Sequence, residues 1–232
     1  MALKNTSPSL ETIHPTFGSS FNVMQFDVRN PNKKATWHYH REIEMIFVLD
    51  GCGKIHIGNH LSYFNHGTLV LIGSNLPHLG FMERLTNNEL EVVAQFNQDF
   101  LGKDFFNAPE LGSVKALLDR AKGGILFGQR IRDEVAEEVK GLPAMSNLEK
   151  LLAFIQVLDH LAKTDDYEIL NANGAMIIAN NQDNDRLDVI YAYIRNNFQD
   201  EIKLIDVAGL VNMTVPSFCR YFKKSVFKTF TE

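Results

Sequence analysis

Two histidines and two glutamates alternate along one short stretch, His38-Tyr39-His40-Arg41-Glu42-Ile43-Glu44. In a β-strand, His38, His40, Glu42 and Glu44 would share one face, because successive side chains point to opposite faces. Burying such a charged face costs free energy unless a metal ion, a ligand or polar partners compensate it. The pattern therefore predicts a site built around these four side chains and leaves its occupant open.

A second group of candidate functional residues lies near the C-terminus, in residues 203–228. Apolar residues at helical spacing predict a first helix: Ile205, Ala208, Leu210 and Val211. Asn212, Met213 and Thr214 then interrupt the apolar pattern. Asn tolerates a left-handed backbone, Thr214 is a good N-cap, and Pro216 suits the first turn of a second helix.

The second helix has aromatic residues on one side and basic residues on the other. Its aromatic residues Phe218, Tyr221 and Phe222 are expected to face inward, and its basic residues to face solvent: Arg220, Lys223, Lys224 and Lys228. Two short helices around a tight turn, the second basic outside, are the pattern of a helix-turn-helix. An ordinary helical hairpin with a solvated basic face is the alternative.

The N-terminal half consists of short apolar runs separated by Gly, Asn and Pro. Candidate strands are residues 22–27, 44–49, 54–57, 69–71 and 90–95, with turn signals such as Asp50-Gly51 and Gly58-Asn59 between them. Many short strands at this spacing predict a small all-β barrel or jelly roll. His14, His56, His60 and His66 have no comparable spacing, and we expect them at surface or turn positions.

Helical periodicity replaces this pattern in residues 106–170. One apolar stripe comprises Val114, Leu117, Leu118 and Ala121 and ends at Gly123-Gly124. Residues 130–140 predict a charged helix, and Asn147 can cap a further helix over residues 148–162. The apolar side of that helix comprises Leu148, Leu151, Leu152, Ile155, Leu158 and Leu161. Residues 171–185 are rich in Asn and predict an interdomain linker.

Composition and charge are those of a globular protein with two unlike parts. The 232 residues are 45% apolar and 22% charged, which is typical of soluble domains, and no apolar run reaches membrane-spanning length. Cys52 and Cys219 fall in different predicted domains, so a disulfide framework is excluded and a reducing cytoplasm is expected. The net charge of −5 comprises +2 from residue 186 onward and −7 before it. This asymmetry favours an acidic sensor joined to a mildly basic nucleic-acid module.

Two motifs in the N-terminal half resemble those of the cupin barrel. His38-x-His40-x-x-x-Glu44, followed by six residues and Gly51, is similar to the first cupin motif. Residues 67–78, which end on His78, are similar to the second. The resemblance implies a double-stranded β-helix over residues 1–105, with His38, His40, Glu44 and His78 at the metal-ligand positions. These ligand types suit a divalent transition metal. The same residues, with Glu42, could instead line a metal-free effector pocket.

The segment from Ala208 to Lys224 resembles the first helix-turn-helix of AraC-type transcription regulators. The shared pattern is A-x-x-x-N-M-T-x-x-x-F-x-R-x-F-K-K, and residues 186–198 resemble the helix that opens that domain. AraC-type proteins commonly carry a cupin sensor, so the two resemblances support each other. In them, helices after the barrel often form the dimer interface, which makes residues 148–162 the candidate here. Packing of this helix against its own barrel is the alternative.

The resemblance implies a role for each residue of the second helix. Side chains near its N-terminus would reach base edges in the major groove, with Arg220 best suited to guanine. A phosphate contact or a salt bridge is the alternative for Arg220. Lys223 and Lys224 would neutralise phosphates. The predicted DNA-binding set is Val215, Pro216, Ser217, Cys219, Arg220, Lys223 and Lys224.

The sequence departs from the AraC pattern in two places. Phe227 stands where the family usually has Gly, and the chain ends at Glu232, before a second helix-turn-helix. The resemblance thus implies a DNA-binding domain, residues 186–232, truncated after its first unit. The predicted function is a cytoplasmic, homodimeric transcription regulator, not an enzyme, whose cupin domain senses a sugar or other metabolite. A metal-dependent cupin enzyme or a metal sensor is the alternative.

Overall fold

The computed structural model divides the chain into two compact units, residues 1–177 and 178–232. The residues that it describes are 8–14, 18–27, 29–30, 37–79, 90–171, 186, 189–190, 193–194, 197, 202–226 and 229–231. The predicted linker after residue 171 lies outside this set, as do Phe227, Lys228 and much of the predicted helix at 186–198. Among the described residues, none of the helices combines the length and apolarity that a bilayer crossing requires.

Eleven described strands of the first unit form two sheets. Their bounds are β1 Ser9–Leu10, β2 Asn22–Phe26, β3 Trp37–Tyr39, β4 Ile43–Val48, β5 Gly53–Ile57, β6 His60–Phe64, β7 Thr68–Ile72, β8 His78–Leu79, β9 Glu91–Phe96, β10 Ile125–Phe127 and β11 Tyr167–Ile169. One sheet has the order β1-β3-β8-β5-β6, and the other has the order β11-β10-β7-β4-β9-β2. The five strands predicted from sequence are all present within one residue at each end. The strands missed are short, or carry polar residues in alternation, as β6 does.

The central strands of the six-stranded sheet are buried on both faces, because a different apolar cluster covers each face. Met45 and Phe47 of β4 point toward the helices. Ile46 and Val48 point toward the five-stranded sheet, where they contact Ile55. This double burial explains why β4, β7 and β9 are nearly continuous apolar runs rather than alternating ones.

Four helices follow β9 in the first unit. They are α1 Gly112–Arg120, α2 Gln129–Glu134, α3 Ala136–Gly141 and α4 Asn147–Lys163. The predicted stripe of α1 is confirmed, since Val114, Leu117, Leu118 and Ala121 are all fully buried. Phe154 of α4 stacks on Phe21, with ring centroids 4.9 Å apart, and anchors the helices to the sheet.

Residues 106–170 are not purely helical, as the sequence suggested, because β10 and β11 extend the six-stranded sheet. The predicted cap of α4 was also one residue late. Ser146 precedes the helix, and the Glu149 carboxylate accepts hydrogen bonds from its N–H (3.1 Å) and hydroxyl (2.6 Å). The buried face of α4 comprises Phe154, Val157, Leu158 and Leu161. Leu148 and Leu152, predicted to lie on it, are 66% and 54% exposed.

The second unit contains two described helices joined by a tight turn, α5 Leu204–Leu210 and α6 Val215–Val226. Asn212 adopts the left-handed conformation (φ 55°), and the Thr214 hydroxyl accepts a hydrogen bond from the Ser217 N–H at 3.4 Å. Both local predictions are confirmed. The predicted apolar face of α5 was partly wrong, because Ile205 and Leu210 are 67% and 44% exposed. Val207, Ala208 and Val211 are the residues that α5 and its end bury.

Candidate functional site

The polar residues singled out from the sequence meet between the two sheets of the first unit. His38 of β3 is the cross-strand partner of His78 in β8, and Glu44 of β4 is the partner of Gln95 in β9. Glu44 lies two residues from Ile46 on β4 and therefore points away from the helices, toward the five-stranded sheet. His38, His40, Glu44 and His78 are all buried.

The four side chains form one compact cluster. A ligand nitrogen from each of His38, His40 and His78 lies within 4.8 Å of the others. Glu44 joins two of them, with Oε2 3.2 Å from Nε2 of His40 and Oε1 3.4 Å from Nε2 of His78. We call these four residues the His/Glu cluster.

The path of the chain through this cluster differs from the single strand assumed for residues 38–44. β3 ends at Tyr39 and β4 begins at Ile43, so the chain crosses between the sheets at residues 40–42. Glu42 is displaced from the cluster as a result. Its carboxylate lies 3.9 Å from Nδ1 of His40, the nitrogen that points away from Glu44. Burial raises the pKa of Glu42.

Backbone carbonyls fix the orientation of two imidazoles. Nδ1 of His40 lies 3.0 Å from the Glu42 carbonyl oxygen, and Nδ1 of His78 lies 2.8 Å from that of Leu76. A carbonyl can only accept, so each Nδ1 carries the proton and donates it. Each Nε2 consequently faces Glu44. Within the described part of the chain, the buried Nε2 of His78 makes no hydrogen bond of good geometry, and its 3.4 Å contact with Oε1 of Glu44 is an ion pair only when the ring is protonated.

The charges in the cluster are strongly coupled. Burial raises the pKa of Glu44, but the neighbouring His40 and His78 outweigh it and hold this pKa well below 4.5. Burial lowers the pKa of His40, yet the carboxylate of Glu44, with help from Glu42 and Glu11, raises it above 6.5 overall. Glu44 is therefore ionised, and its charge demands a cation between it and the imidazoles, either a proton or a metal ion.

Two further polar residues belong to this site and were not found from sequence. Gln95 donates from Nε2 to Oε2 of Glu44 at 2.5 Å, and Oε2 of Glu11 lies 3.1 Å from Nε2 of His38. Gln95 could have been found only by knowing that β4 pairs with β9 in this register. Glu11 follows the two-residue strand β1, which has no periodic signal. The other histidines lie outside the cluster: His14 and His66 are exposed, as expected, whereas His56 and His60 are half-buried in strands rather than at surface or turn positions.

The donor set of the His/Glu cluster fits a divalent transition metal. Three imidazoles and one carboxylate are the ligands that Zn²⁺ and similar ions take in proteins. Metal-binding histidines usually donate their other ring N–H to a carbonyl or carboxylate, as His40 and His78 do here. The buried Nε2 of His78, which makes no hydrogen bond of good geometry to the described residues, is the atom that such an ion would satisfy.

In the second unit, α6 separates aromatic from basic side chains. Phe218 and Phe222 are buried and pack on Phe230, with ring centroids 5.4 Å and 5.2 Å from it. Arg220 and Lys223 are exposed, as are Pro216 and Cys219, whereas Val215 and Ser217 are half-buried. Lys224 belongs to α6, but its side chain is not among those that the structure describes.

Arg220 is held near the helix surface by one weak contact. Its Nη2 lies 3.4 Å from the Ser217 hydroxyl, and Arg220 and Lys223 border a cavity of about 260 Å³ that Phe230 also lines. Arg220 and Lys223 thus remain accessible to a partner.

No protein-family model and no curated protein matches this chain. Among solved structures, ToxT from Vibrio cholerae is similar over 90% of this chain and 78% of its own, at 13% identity and a TM-score of 0.42. The AraC-like transcriptional activator CuxR is similar over 79% of this chain and 61% of its own, at 8% identity and a TM-score of 0.39. ToxT of strain SCE256 with a bound unsaturated fatty acid is similar over 94% and 77%, at 13% identity and a TM-score of 0.36. At these sequence identities and TM-scores, only the residues of this chain bear on its function.

Proposed function

We propose that the protein is a ligand-responsive, sequence-specific DNA-binding transcription regulator of the AraC type. The observation that carries the proposal is the two-helix element α5–turn–α6, with aromatic residues buried and cations exposed on α6. Left-handed Asn212 and the Thr214 cap fix the turn between the helices. A helix of this kind, presented after a tight turn, is how helix-turn-helix proteins enter the major groove.

The proposed roles on α6 follow from side-chain chemistry and exposure. Arg220 is exposed and can donate two hydrogen bonds to guanine O6 and N7, so it is the proposed base-reading residue. Lys223 lies about one turn later and carries a flexible point charge, which suits a phosphate. Phe218 and Phe222 hold the helix in place and do not reach the duplex.

Sequence selection from random duplexes, followed by binding titrations at several salt concentrations, tests this proposal. Arg220→Ala should reduce the preference for the selected site by about tenfold or more, because a bidentate contact to guanine is lost. Lys223→Ala should weaken binding to all duplexes alike and reduce the salt slope by about one unit. The control Lys203→Ala removes an exposed cation before α5 and should change neither quantity. An unchanged site preference in Arg220→Ala would remove that residue from base reading.

The His/Glu cluster is the proposed sensing site of this regulator. A buried, ionised carboxylate between imidazoles is costly unless a ligand or counter-ion completes it. Nε2 of His78 has only the 3.4 Å contact with Glu44, which favours a divalent metal ion as the completing group, held by His38, His40, Glu44 and His78. A sugar or another metabolite that hydrogen-bonds the same side chains is the alternative ligand. Elemental analysis of protein purified without a His-tag distinguishes them, because only the metal leaves a stoichiometric ion.

Regulation further requires that the ligand bind two arrangements of the protein with different affinities. Homodimerisation through α4 is the proposed way in which two reading helices are presented together. Leu148 and Leu152 lie one turn apart and are both exposed, while the opposite side of α4 packs into its own domain. α4 can thus pack against its own domain on one side and form a dimer contact on the other, the two alternatives that the sequence left open.

A further inference from the structure

The side chain of Asn171 ties together two loops at one end of the first unit. Its Nδ2 donates to the carbonyl oxygens of Ile57 (3.0 Å) and Gly123 (3.1 Å), and its Oδ1 accepts from the N–H of Asn59 (2.9 Å). The backbone N–H of Asn171 also donates to the Gly123 carbonyl at 2.9 Å. We call this set of bonds the Asn171 clamp.

The clamp is a close contact that only glycine permits at two positions. Gly58 has φ +57°, and a Cβ there would lie 2.5 Å from Oδ1 of Asn171. Gly124 has φ +69°, and a Cβ there would lie 3.0 Å from Ile57 and 3.2 Å from Leu76. Positive φ and the lack of space restrict both positions to glycine, and a side chain at either would disturb the loops that Asn171 bonds.

The loop held by Asn171 is also bonded to the strand that carries His78. Ile57 is the cross-strand partner of His78, and the Gly58 N–H donates to the Pro77 carbonyl at 2.7 Å. The Leu76 carbonyl accepts from Nδ1 of the His78 ring. The backbone on both sides of His78 is therefore connected to the loop, and the loop is connected to Asn171.

Asn171 is also the last described residue before the segment that leads to the second unit, since residues 172–185 follow it directly. Three consecutive contacts connect His78 to this segment. The His78 ring bonds the Leu76 carbonyl, the adjacent Pro77 carbonyl accepts from the Gly58 N–H, and the neighbours of Gly58, Ile57 and Asn59, bond the Asn171 side chain. No other residue of the clamp has a side chain that bonds both loops.

We propose that Asn171 is a positioning residue that transmits occupancy of the His/Glu cluster to the segment leading to the second unit. The proposal rests on the proposed sensing role of that cluster. The ligand nitrogens of the three imidazoles lie within 4.8 Å of one another, and we expect the His78 ring to reorient when it shares one ligand with the other two. Asn171, the residue that directly precedes this segment, follows that movement through the clamp, and replacing it uncouples the response from the binding.

The native cysteines allow a direct test on the full chain. Cys52 and Cys219, one in each unit, form no disulfide, and both can be spin-labelled to report the distance between the units. With Zn²⁺ as the probe, we expect the distance distribution of the wild type to shift on saturation. Asn171→Ala should bind Zn²⁺ with a Kd within about twofold of the wild type and lose at least half of that shift. A merely structural role would alter both measurements or neither.

The matched control is Asn147→Ala, since Asn147 also bonds a distant carbonyl, that of Gly18 at 3.3 Å, in the same unit. It should bind Zn²⁺ and respond as the wild type does. A full shift in Asn171→Ala, or an equal loss in Asn147→Ala, overturns the proposal.

If the wild type does not bind Zn²⁺, the metal assignment fails, and amide hydrogen exchange then tests the clamp separately. His78→Ala should lower the protection of the Leu170 and Asn171 amides by about fivefold or more, because their loop loses its support. His56→Ala, one residue from Ile57 but stacked on Trp37, should not. Unchanged protection in His78→Ala would show that Asn171 is not connected to His78.

Discussion

Replacing His78 by Ala should remove most of the stabilisation that Zn²⁺ gives to the first unit. The wild type presents four donor groups, and His78 is the one whose Nε2 is buried without a hydrogen-bond partner among the described residues. A ligand that binds only the folded state at 100 times its Kd stabilises it by about 2.7 kcal/mol. For a domain of this size, about 2–4 °C per kcal/mol converts this to a rise in Tm of about 5–11 °C.

The variant keeps three of the four donor groups, so the Zn²⁺ affinity that it loses can be bounded. Removing even an outer partner of a metal ligand costs about 10–100-fold in affinity, and removing a ligand should cost at least as much. At the same free Zn²⁺ concentration, the stabilisation then falls to about 0.4–1.4 kcal/mol. The Zn²⁺-induced rise in Tm should accordingly fall to half of the wild-type value or less.

Differential scanning calorimetry of tag-free protein, with EDTA and with Zn²⁺, measures this rise for each variant. Comparing the rise rather than Tm itself removes the effect of the cavity that Ala leaves in the apo protein. His60→Ala is the control, because His60 is half-buried in β6 and bonds Ser62 at 2.8 Å, outside the cluster. A full rise in His78→Ala, or no rise in the wild type, would refute the metal assignment.

Three further predictions concern α4. Phe154→Ala removes a ring stacked on Phe21 and should lower the free energy of unfolding by about 3–5 kcal/mol in urea titrations, whereas exposed Gln156→Ala should change it by less than about 0.5 kcal/mol. Ser146→Ala should destabilise the protein by about 1 kcal/mol. Hydrogen bonds from the hydroxyl and the N–H of Ser146 lower the pKa of Glu149, so the stabilisation from the ionised carboxylate is present at neutral pH and lost as the pH falls through that lowered pKa. Urea midpoints at neutral and acidic pH should therefore show the difference between wild type and Ser146→Ala become smaller. Leu152→Glu should convert a dimer to a monomer in sedimentation velocity. Leu61→Glu, which changes a comparably exposed leucine on β6, should leave the dimer intact. Equal association of both variants would contradict an interface on α4.

Local patterns predicted the local structure well. Asn212 and Thr214 form the turn and cap that their side chains favour, and the stripe of α1 is buried as its spacing indicated. These features depend on residues within one or two helical turns, where sequence spacing is spatial proximity. The prediction of the apolar face of α5 was partly wrong because Leu210 and Ile205 satisfy the same spacing as the residues that are buried. Periodicity alone cannot tell which of two neighbouring stripes meets a partner.

His38, His40, Glu44 and His78 lie close together in the structure, as their spacing indicated, but not for the reason that the spacing suggested. A single strand would have placed Glu42 beside the others, whereas the crossing at residues 40–42 removes it and brings in Gln95. That arrangement depends on the pairing of β4 with β9 and on the stacking of two sheets. Both are long-range facts, which the spacing of residues within one segment does not contain.

The cluster also departs from the rule that buried polar groups are satisfied, and this departure bears on its role. Replacing the whole cluster together by well-packed apolar residues of similar volume would often cost little stability or even increase it, whereas removing one member alone would leave a buried charge uncompensated. Apart from the cluster, Gln95, Thr68 and Glu91, the buried residues of β4, β7 and β9 on this face are apolar. A well-packed core that keeps an ionised Glu44 and an Nε2 of His78 without a hydrogen bond of good geometry is suited to a ligand that supplies the missing interaction. Burying these polar groups costs free energy in the ligand-free protein, and ligand binding offsets that cost. The free energy of folding therefore depends on the ligand. That dependence is what a sensor requires.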